Sequence, residues 1–191
     1  MKELANFLFE VGMLQKTPRS GFQFLGSGRE SVAEHVLRTI FIGYVLSKLE
    51  PDIDQQKIFK MCLFHDLAEA RTGDMNYVNK KYVTVDEEKA VCELADTLPF
   101  GGEIKSVVSE FNARETRESL IAHDADQLAL ILQLKEYGDL GNKYSKEWID
   151  FAIQRLATDR AGKLAEVILE TDSSDWWFKD KSDWWVNANN K

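Results

Sequence analysis

The sequence predicts an all-α fold, a single bundle spanning residues 1–170, and three observations predict it. Apolar residues recur at helical spacing along most of the chain. Glycine and proline are sparse, 11 and 3 among 191 residues, which disfavours a loop-rich β protein. The stretch from Leu120 to Leu134 is apolar nearly all round, the pattern of a helix buried at the centre of a bundle. A chain of 191 residues fits one domain and can bury a core without disulfides.

The elements follow in order. Leu4, Phe7, Leu8, Val11 and Leu14 form one stripe, so residues 3–15 predict an amphipathic helix. Pro18 and Gly21 break it, and residues 16–30 predict a loop. Ser31-Val-Ala-Glu34 is a capping box: the Ser31 hydroxyl takes one free amide of the first turn and Glu34 reaches back to another. The helix it opens runs to about Lys48, with Val32, His35, Thr39, Ile42 and Leu46 facing inward. Asp54 opens a helix over 54–70 that places Ile58, Met61, Cys62, His65 and Glu69 on one face. Thr72-Gly-Asp74 ends it, and the polar stretch around Asn76, Asn79, Lys80 and Lys81 is expected to lie over a pocket mouth. Shorter helices follow over 85–97 and 103–111, separated by Pro99 and the Gly101-Gly102 pair. Residues 113–137 predict the long central helix, closed by Gly138 and Gly141. A last helix is expected over 145–170.

Residues 171–191 form a tail in which Ser174-Asp-Trp-Trp recurs as Ser182-Asp-Trp-Trp. This repeat is too short for a solenoid. Its rings are expected to dock on the body, with a dimer contact as the alternative.

Charge and composition exclude several classes. A net charge of −8 is unsuited to gripping a nucleic acid polymer, which needs a basic surface. A small phosphorylated ligand is still allowed, because a metal and a few basic residues hold it locally. No apolar run is long enough to span a bilayer, and the first residues do not form a signal peptide. Cys62 and Cys92 sit in apolar helical patterns and are expected to be buried free thiols, which suits the cytoplasm.

The chemistry concentrates in few residues. The chain has three histidines, His35, His65 and His123. A single histidine on an apolar face is more often a core residue bonded to a carbonyl than a ligand. His65-Asp66 is different, because an adjacent imidazole and carboxylate between Phe64 and Leu67 are costly to bury unpaired. A metal ion removes that cost, and two imidazoles with two carboxylates suit Co, Mn, Zn, Ni or Fe. The last carboxylate is Asp124 or Asp126. Two residues apart on a helix, they point about 200° apart. Asp124 shares the azimuth of Arg117 and Lys135, a polar side, whereas Asp126 lies with Ala122, Ala129 and Leu130, so Asp126 is the choice. His123 is expected to be structural or at the surface.

The segments Ser31-Val-Ala-Glu-His35, Leu63-Phe-His65-Asp66-Leu-Ala-Glu69, Thr72-Gly-Asp74 and Asp124-Ala-Asp126-Gln resemble the HD-domain superfamily over roughly residues 4–170. Within it they are most similar to the branch of bacterial 5′-deoxynucleotidases and HD-domain-containing protein 2. The resemblance implies a helical bundle with one divalent metal ion at its centre, held by His35, His65, Asp66 and Asp126. It implies catalytic roles for Glu69 and Asp74, phosphate binding by Arg19, and removal of the 5′-phosphate from deoxynucleoside monophosphates. It also implies a homodimer. Another HD-type phosphodiesterase or triphosphohydrolase, or a non-catalytic regulatory module, are the alternatives. Glu69 follows His65 by four residues and Asp66 by three, which lets it share their face and handle a water proton. Arg38, one turn past His35, is the alternative to Arg19 as phosphate ligand, and Lys80 and Lys81 could draw an anion toward the mouth. Where bacterial relatives carry a tryptophan that helps reject ribose, this chain has Ser20, which puts strict deoxyribose selection in doubt.

Overall fold

A computed structural model describes residues 1–178. Among them the chain is helical throughout and holds no strand, only one isolated antiparallel bridge between Pro18 and Ser31. The helices are α1 (Lys2–Val11), α2 (Val32–Leu49), α3 (Gln55–Phe64), α4 (Glu69–Thr72), α5 (Glu87–Ala95), α6 (Gly101–Ala113), α7 (Arg117–Asp139), α8 (Ser145–Ile153), α9 (Asp159–Glu170) and α10 (Asp175–Phe178). Short 3-10 turns cover Gly12–Gln15, Ser20–Leu25 and Asn79–Lys81.

The central helix is α7, which packs against α2, α3, α6, α8 and α9. It starts at a second capping box: Thr116 accepts from the Ser119 amide, and the Ser119 hydroxyl takes the Thr116 amide. It therefore begins at Arg117 rather than 113, because Arg114, at φ 54°, closes α6 in the left-handed region. Around α7 lies the larger apolar cluster, with Ile42, Leu46, Ile58, Met61, Leu128, Ile131 and Leu134 at its heart. A second cluster gathers Leu14, Val32, Val36, Leu67, Leu94, Ile104 and Val108. Ile40 and Phe64 pack against both. The α2 capping box forms as expected, and Val32, His35, Thr39, Ile42 and Leu46 are all buried. α2 and α3 approach closely at Gly43, where a Cβ would meet Cys62 Sγ at 2.7 Å.

Three further stretches differ from the sequence expectation. The helix expected over 54–70 ends at Phe64, so His65 and Asp66 lie in a turn beyond it rather than late in a helix. The chain resumes helix only for the single turn of α4, which Arg71 ties by ion pairs to Glu10 of α1 and Glu93 of α5. Gly73 then takes φ 73°, a left-handed conformation open to glycine, and redirects the chain toward Asp74. The helix expected over 145–170 is two helices. No glycine or proline marks the break at 154–158; a buried carboxylate on α7 makes it. Asp124 accepts from the amides of Ala157 and Thr158, at 2.7 and 2.9 Å, and from the Thr158 hydroxyl at 2.6 Å. Thr158 in turn caps α9. This corrects the placing of Asp124 on a polar side: it is fully buried. Finally, α6 starts at Gly101, inside the glycine pair; a Cβ at that position would collide with the Ala95 carbonyl at the end of α5.

Cys62 is buried and free, and burial pushes its thiol up to about 12. Cys92, also free, is only half-buried. In the first tail copy Trp176 is 86% exposed, so that ring does not dock on the body. The second Ser-Asp-Trp-Trp lies outside the described residues.

Candidate functional site

Three elements bring the chemistry-bearing side chains together where the two apolar clusters meet. The capping box of α2 fixes the helix phase that points His35 inward. The turn after α3 supplies His65 and Asp66, and the middle of α7 supplies Asp126.

The Nε2 atoms of His35 and His65 lie 3.4 Å apart. Asp126 Oδ1 is 3.0 Å from His35 Nε2. Asp66 Oδ2 is 3.2 Å from His65 Nε2 and 3.6 Å from His35 Nε2. One ligand atom each from His35, His65 and Asp126 falls within a span of 4.8 Å; this is the group among the described residues that could hold a metal ion. Asp66 stands beside that group rather than in it.

The tautomer of His65 follows from its other nitrogen, which lies 3.0 Å from the Cys62 carbonyl. Nδ1–H donates there, which leaves Nε2 facing the carboxylates. His35 is fully buried, and its Nδ1 has no partner among the described residues. Burial, with the Arg19 charge, keeps the His35 imidazole below its usual pKa. Burial works the same way on His65, but Asp66 and Asp126 outweigh it and raise its pKa. Asp66 titrates at about 2, because His65, Arg19 and His35 overcome the burial that would raise it. Asp126 is held low in the same way, chiefly by His35.

Arg19 reaches the group from the loop before α2. Its Nη1 lies 3.4 Å from Asp66 Oδ2 and 3.7 Å from Asp74 Oδ1. The Arg19 amide donates to the Glu30 carbonyl at 2.8 Å, and the Val32 amide to the Thr17 carbonyl at 2.9 Å, on either side of the Pro18–Ser31 bridge. Arg19 is thus pinned to the start of the helix that carries His35. Arg38 does not face the group; it pairs with Glu136.

Glu69 opens α4. Its Oε2 is buried without a partner among the described residues. Burial, then the charges of Asp66 and Asp74, push its carboxyl up to about 9 against the pull of Arg19. Asp74 is held differently. Its Oδ2 accepts from the Ser20 amide at 2.5 Å, while the Ser20 hydroxyl donates to the Asp74 carbonyl at 2.8 Å. His123 is away from the group: its ring stacks on Phe111 at 3.8 Å, and its Nε2 lies 2.7 Å from the Phe111 carbonyl.

A cleft of about 340 Å³ opens on these residues, lined by Arg19, Asp66, Glu69, Asp74, Asp126 and Lys80, and by Phe24, Tyr77, Trp148 and Arg155. Phe24, Tyr77, Trp148 and Arg155 escaped sequence reasoning, as did the contacts that brace the cleft. Ser20 and Asn76 clamp the two loops together, with Asn76 Nδ2 donating to Ser20 Oγ at 3.1 Å. Gln127 donates to Asp126 Oδ2 at 2.8 Å and accepts from Arg155 Nε at 2.6 Å. A glutamine beside the aspartate was visible in the Asp126-Gln127 pair; nothing in the sequence points from Arg155 to that pair.

An all-α bundle with two imidazoles and a carboxylate gathered at its centre defines the class. The family model for the HD domain matches residues 11–168, and the chain belongs to that family. It is 33% identical over 149 residues to the 5′-deoxynucleotidase HDDC2 of Dictyostelium discoideum, covering 72% of this chain and 78% of that one. It is 28% identical to the human 5′-deoxynucleotidase HDDC2, covering 74% and 72%. Among solved structures, a conserved hypothetical protein from Pyrococcus furiosus aligns with a TM-score of 0.76 at 29% identity, over 87% of this chain and 99% of that one.

Proposed function

We propose that the protein is a metal-dependent phosphohydrolase that removes the 5′-phosphate from nucleoside or deoxynucleoside monophosphates. The observation that carries this reading is the convergence of His35, His65 and Asp126 on one point, with Asp66, Glu69 and Arg19 around it. The relatives named 5′-deoxynucleotidase support the choice of substrate.

The donor set fits a divalent transition metal. Nitrogen and carboxylate atoms crowd within 4.8 Å, and the Cys62 carbonyl fixes the His65 tautomer that presents Nε2. Such a mixed N/O set suits Co, Mn, Zn, Ni or Fe. His35, His65 and Asp126 would hold the ion, with Asp66 as the fourth ligand. The ion supplies Lewis acidity, offsetting phosphoryl charge and acidifying water.

The chain supplies the rest. Arg19 presents Nη1 beside Asp66 and Asp74, where a phosphate oxygen can take its hydrogen bonds. Glu69 lines the cleft beside Asp66 and Asp74, where in its carboxylate form it can take a proton from the attacking water. Asp74, locked by Ser20, keeps Arg19 oriented and can serve the leaving oxygen. Gln127 holds the second oxygen of Asp126 while the first faces His35.

No described helix is long and apolar enough to cross a membrane. Residence in the cytoplasm, suggested by two free cysteines, belongs to the same proposal, as does a homodimer. Supporting the dimer is an exposed apolar stripe on α2 formed by Leu37, Phe41, Tyr44 and Val45. A Phe41→Glu variant that leaves the molecular mass in solution unchanged would remove that face from consideration.

The central test adds Co, Mn, Zn, Ni, Fe or Mg separately to the metal-free protein and identifies the products formed from mono-, tri- and cyclic nucleotides by chromatography, with phosphate release scored for the monophosphates. Turnover of 5′-monophosphates is expected. Turnover confined to cyclic or triphosphate substrates would overturn the reading.

A further inference from the structure

The cleft lining combines two chemistries. Arg19, Asp66, Asp74 and Asp126 form a largely enclosed charged group. Tyr77, Phe24 and Trp148 add aromatic surface: Tyr77 is 64% exposed and Phe24 50%, and Trp148 is half-buried. Single exposed rings are ordinary on a protein surface. Rings in the lining of a cleft that also holds an ionic group are a different matter, because small-molecule sites pair an apolar wall with a few placed polar groups.

The open rings are not on loose chain. Tyr77 follows Asn76, whose Oδ1 accepts from the amides of Val78 and Asn79 at 3.0 Å each. Asn76 is tied in turn to Ser20. The Arg155 guanidinium lies 5.7 Å from the centroid of the Tyr77 ring and is itself held by Gln127. Trp148 reaches the base of the same wall, 3.7 Å from the position of a Cβ on Gly21. The backbone is anchored, one cation already lies against the ring, and a face is left for a flat partner.

We propose that the exposed Tyr77 ring is a stacking subsite for a planar heteroaromatic ring, with Arg155 as its backing cation. The ligand is then a phosphomonoester carrying such a ring. Placement of the phosphate at the charged group rests on the phosphohydrolase reading; the stacking face does not. A cavity of about 340 Å³ falls in the range that holds small ligands, roughly 300–1,000 Å³.

Calorimetry of the full-length protein tests this with two probes, a deoxynucleoside 5′-monophosphate and 2-deoxyribose 5-phosphate. The first is expected to bind at least about fivefold more tightly, the lower end of what base–aromatic stacking supplies. Tyr77→Leu should weaken the nucleotide by that factor and leave the sugar phosphate unchanged, and Tyr77→Phe should restore the difference. Equal affinities in the unaltered protein, or a Tyr77→Leu variant that binds both probes as before, would overturn the subsite. Phosphate release on the same samples separates the two claims. Binding that depends on Tyr77 without any turnover would sink the phosphohydrolase reading and leave the subsite standing.

Discussion

Asp124 and Asp126 lie on the same helix, two residues apart, and serve opposite ends. Asp124 meets three donors from the 157–158 joint and is completely shielded. Asp126 meets an imidazole, a glutamine and the cleft. The first carboxylate is spent on backbone groups that would otherwise be buried unpaired; the second keeps an oxygen turned toward other potential ligands. The lesson is that an acidic residue in a helical core is assigned by what it faces. A joint that interrupts a predicted helix is one sign of the structural kind.

Exchange of each residue sharpens that contrast. Asp126→Ala is expected to abolish metal binding and lower kcat/KM by about a thousandfold or more, measured by metal analysis and phosphate release. A variant retaining stoichiometric metal would break the contrast. Next in size is Glu69→Ala, which should keep its metal and its fold but lose about a hundredfold to ten-thousandfold in kcat; unchanged turnover would remove Glu69 from the chemistry. Asp124→Ala should do the reverse of Asp126→Ala. It leaves three donors unsatisfied, so urea unfolding should show a loss of about 3 kcal/mol, while the metal content stays the same.

Glu30 offers a third kind of buried carboxylate, one with little to hold it. Its Oε2 has no hydrogen-bond partner among the described residues and lies 4.0 Å from Arg19 Nε. Burial pushes its pKa from 4.5 to about 7, with Arg19 opposing. The folded state therefore holds this proton more tightly than the unfolded chain. Its contribution to stability is complete below pH 4.5 and is lost as the pH rises to 7. Glu30→Gln should flatten that decline and make the protein more stable at pH 8, by about 2 kcal/mol. An unaltered pH dependence of unfolding would show that the carboxylate is better solvated than its burial implies. The smallest effect belongs to Thr158→Ala, about 1 kcal/mol from the lost α9 cap.

Much of the fold was legible because its signals are local. Ser31 and Glu34 announce α2 within four residues, and the helix period then turns His35 inward. The apolar run of α7 likewise announces a central helix. The readings that differed depend on partners distant in sequence. The end of α3 at Phe64 carries no breaker, and the turn that follows lets His65 and Asp66 both face α2. The 154–158 joint is made by a residue some thirty positions earlier. The candidate site shows the same division. His35, His65, Asp66, Asp126, Glu69, Asp74 and Arg19 lie in short motifs and are brought together. Tyr77, Trp148 and Arg155 come from three separate segments, and no periodicity links them.

The bridge between Pro18 and Ser31 has a consequence for how this protein can vary. It closes the segment from Ser20 to Glu30 into a loop whose two ends are fastened, one at Arg19 and the other at the first turn of α2. Proline has no amide to donate, so the paired register is fixed by the Arg19 and Val32 amides on either side. Residues added between Gly26 and Arg29, a surface stretch, would lengthen the loop while the bridge keeps Arg19 in place relative to His35. The charged group of the cleft and its outer wall can then diverge separately, and grafted loops become a route to new ligands on an unchanged centre.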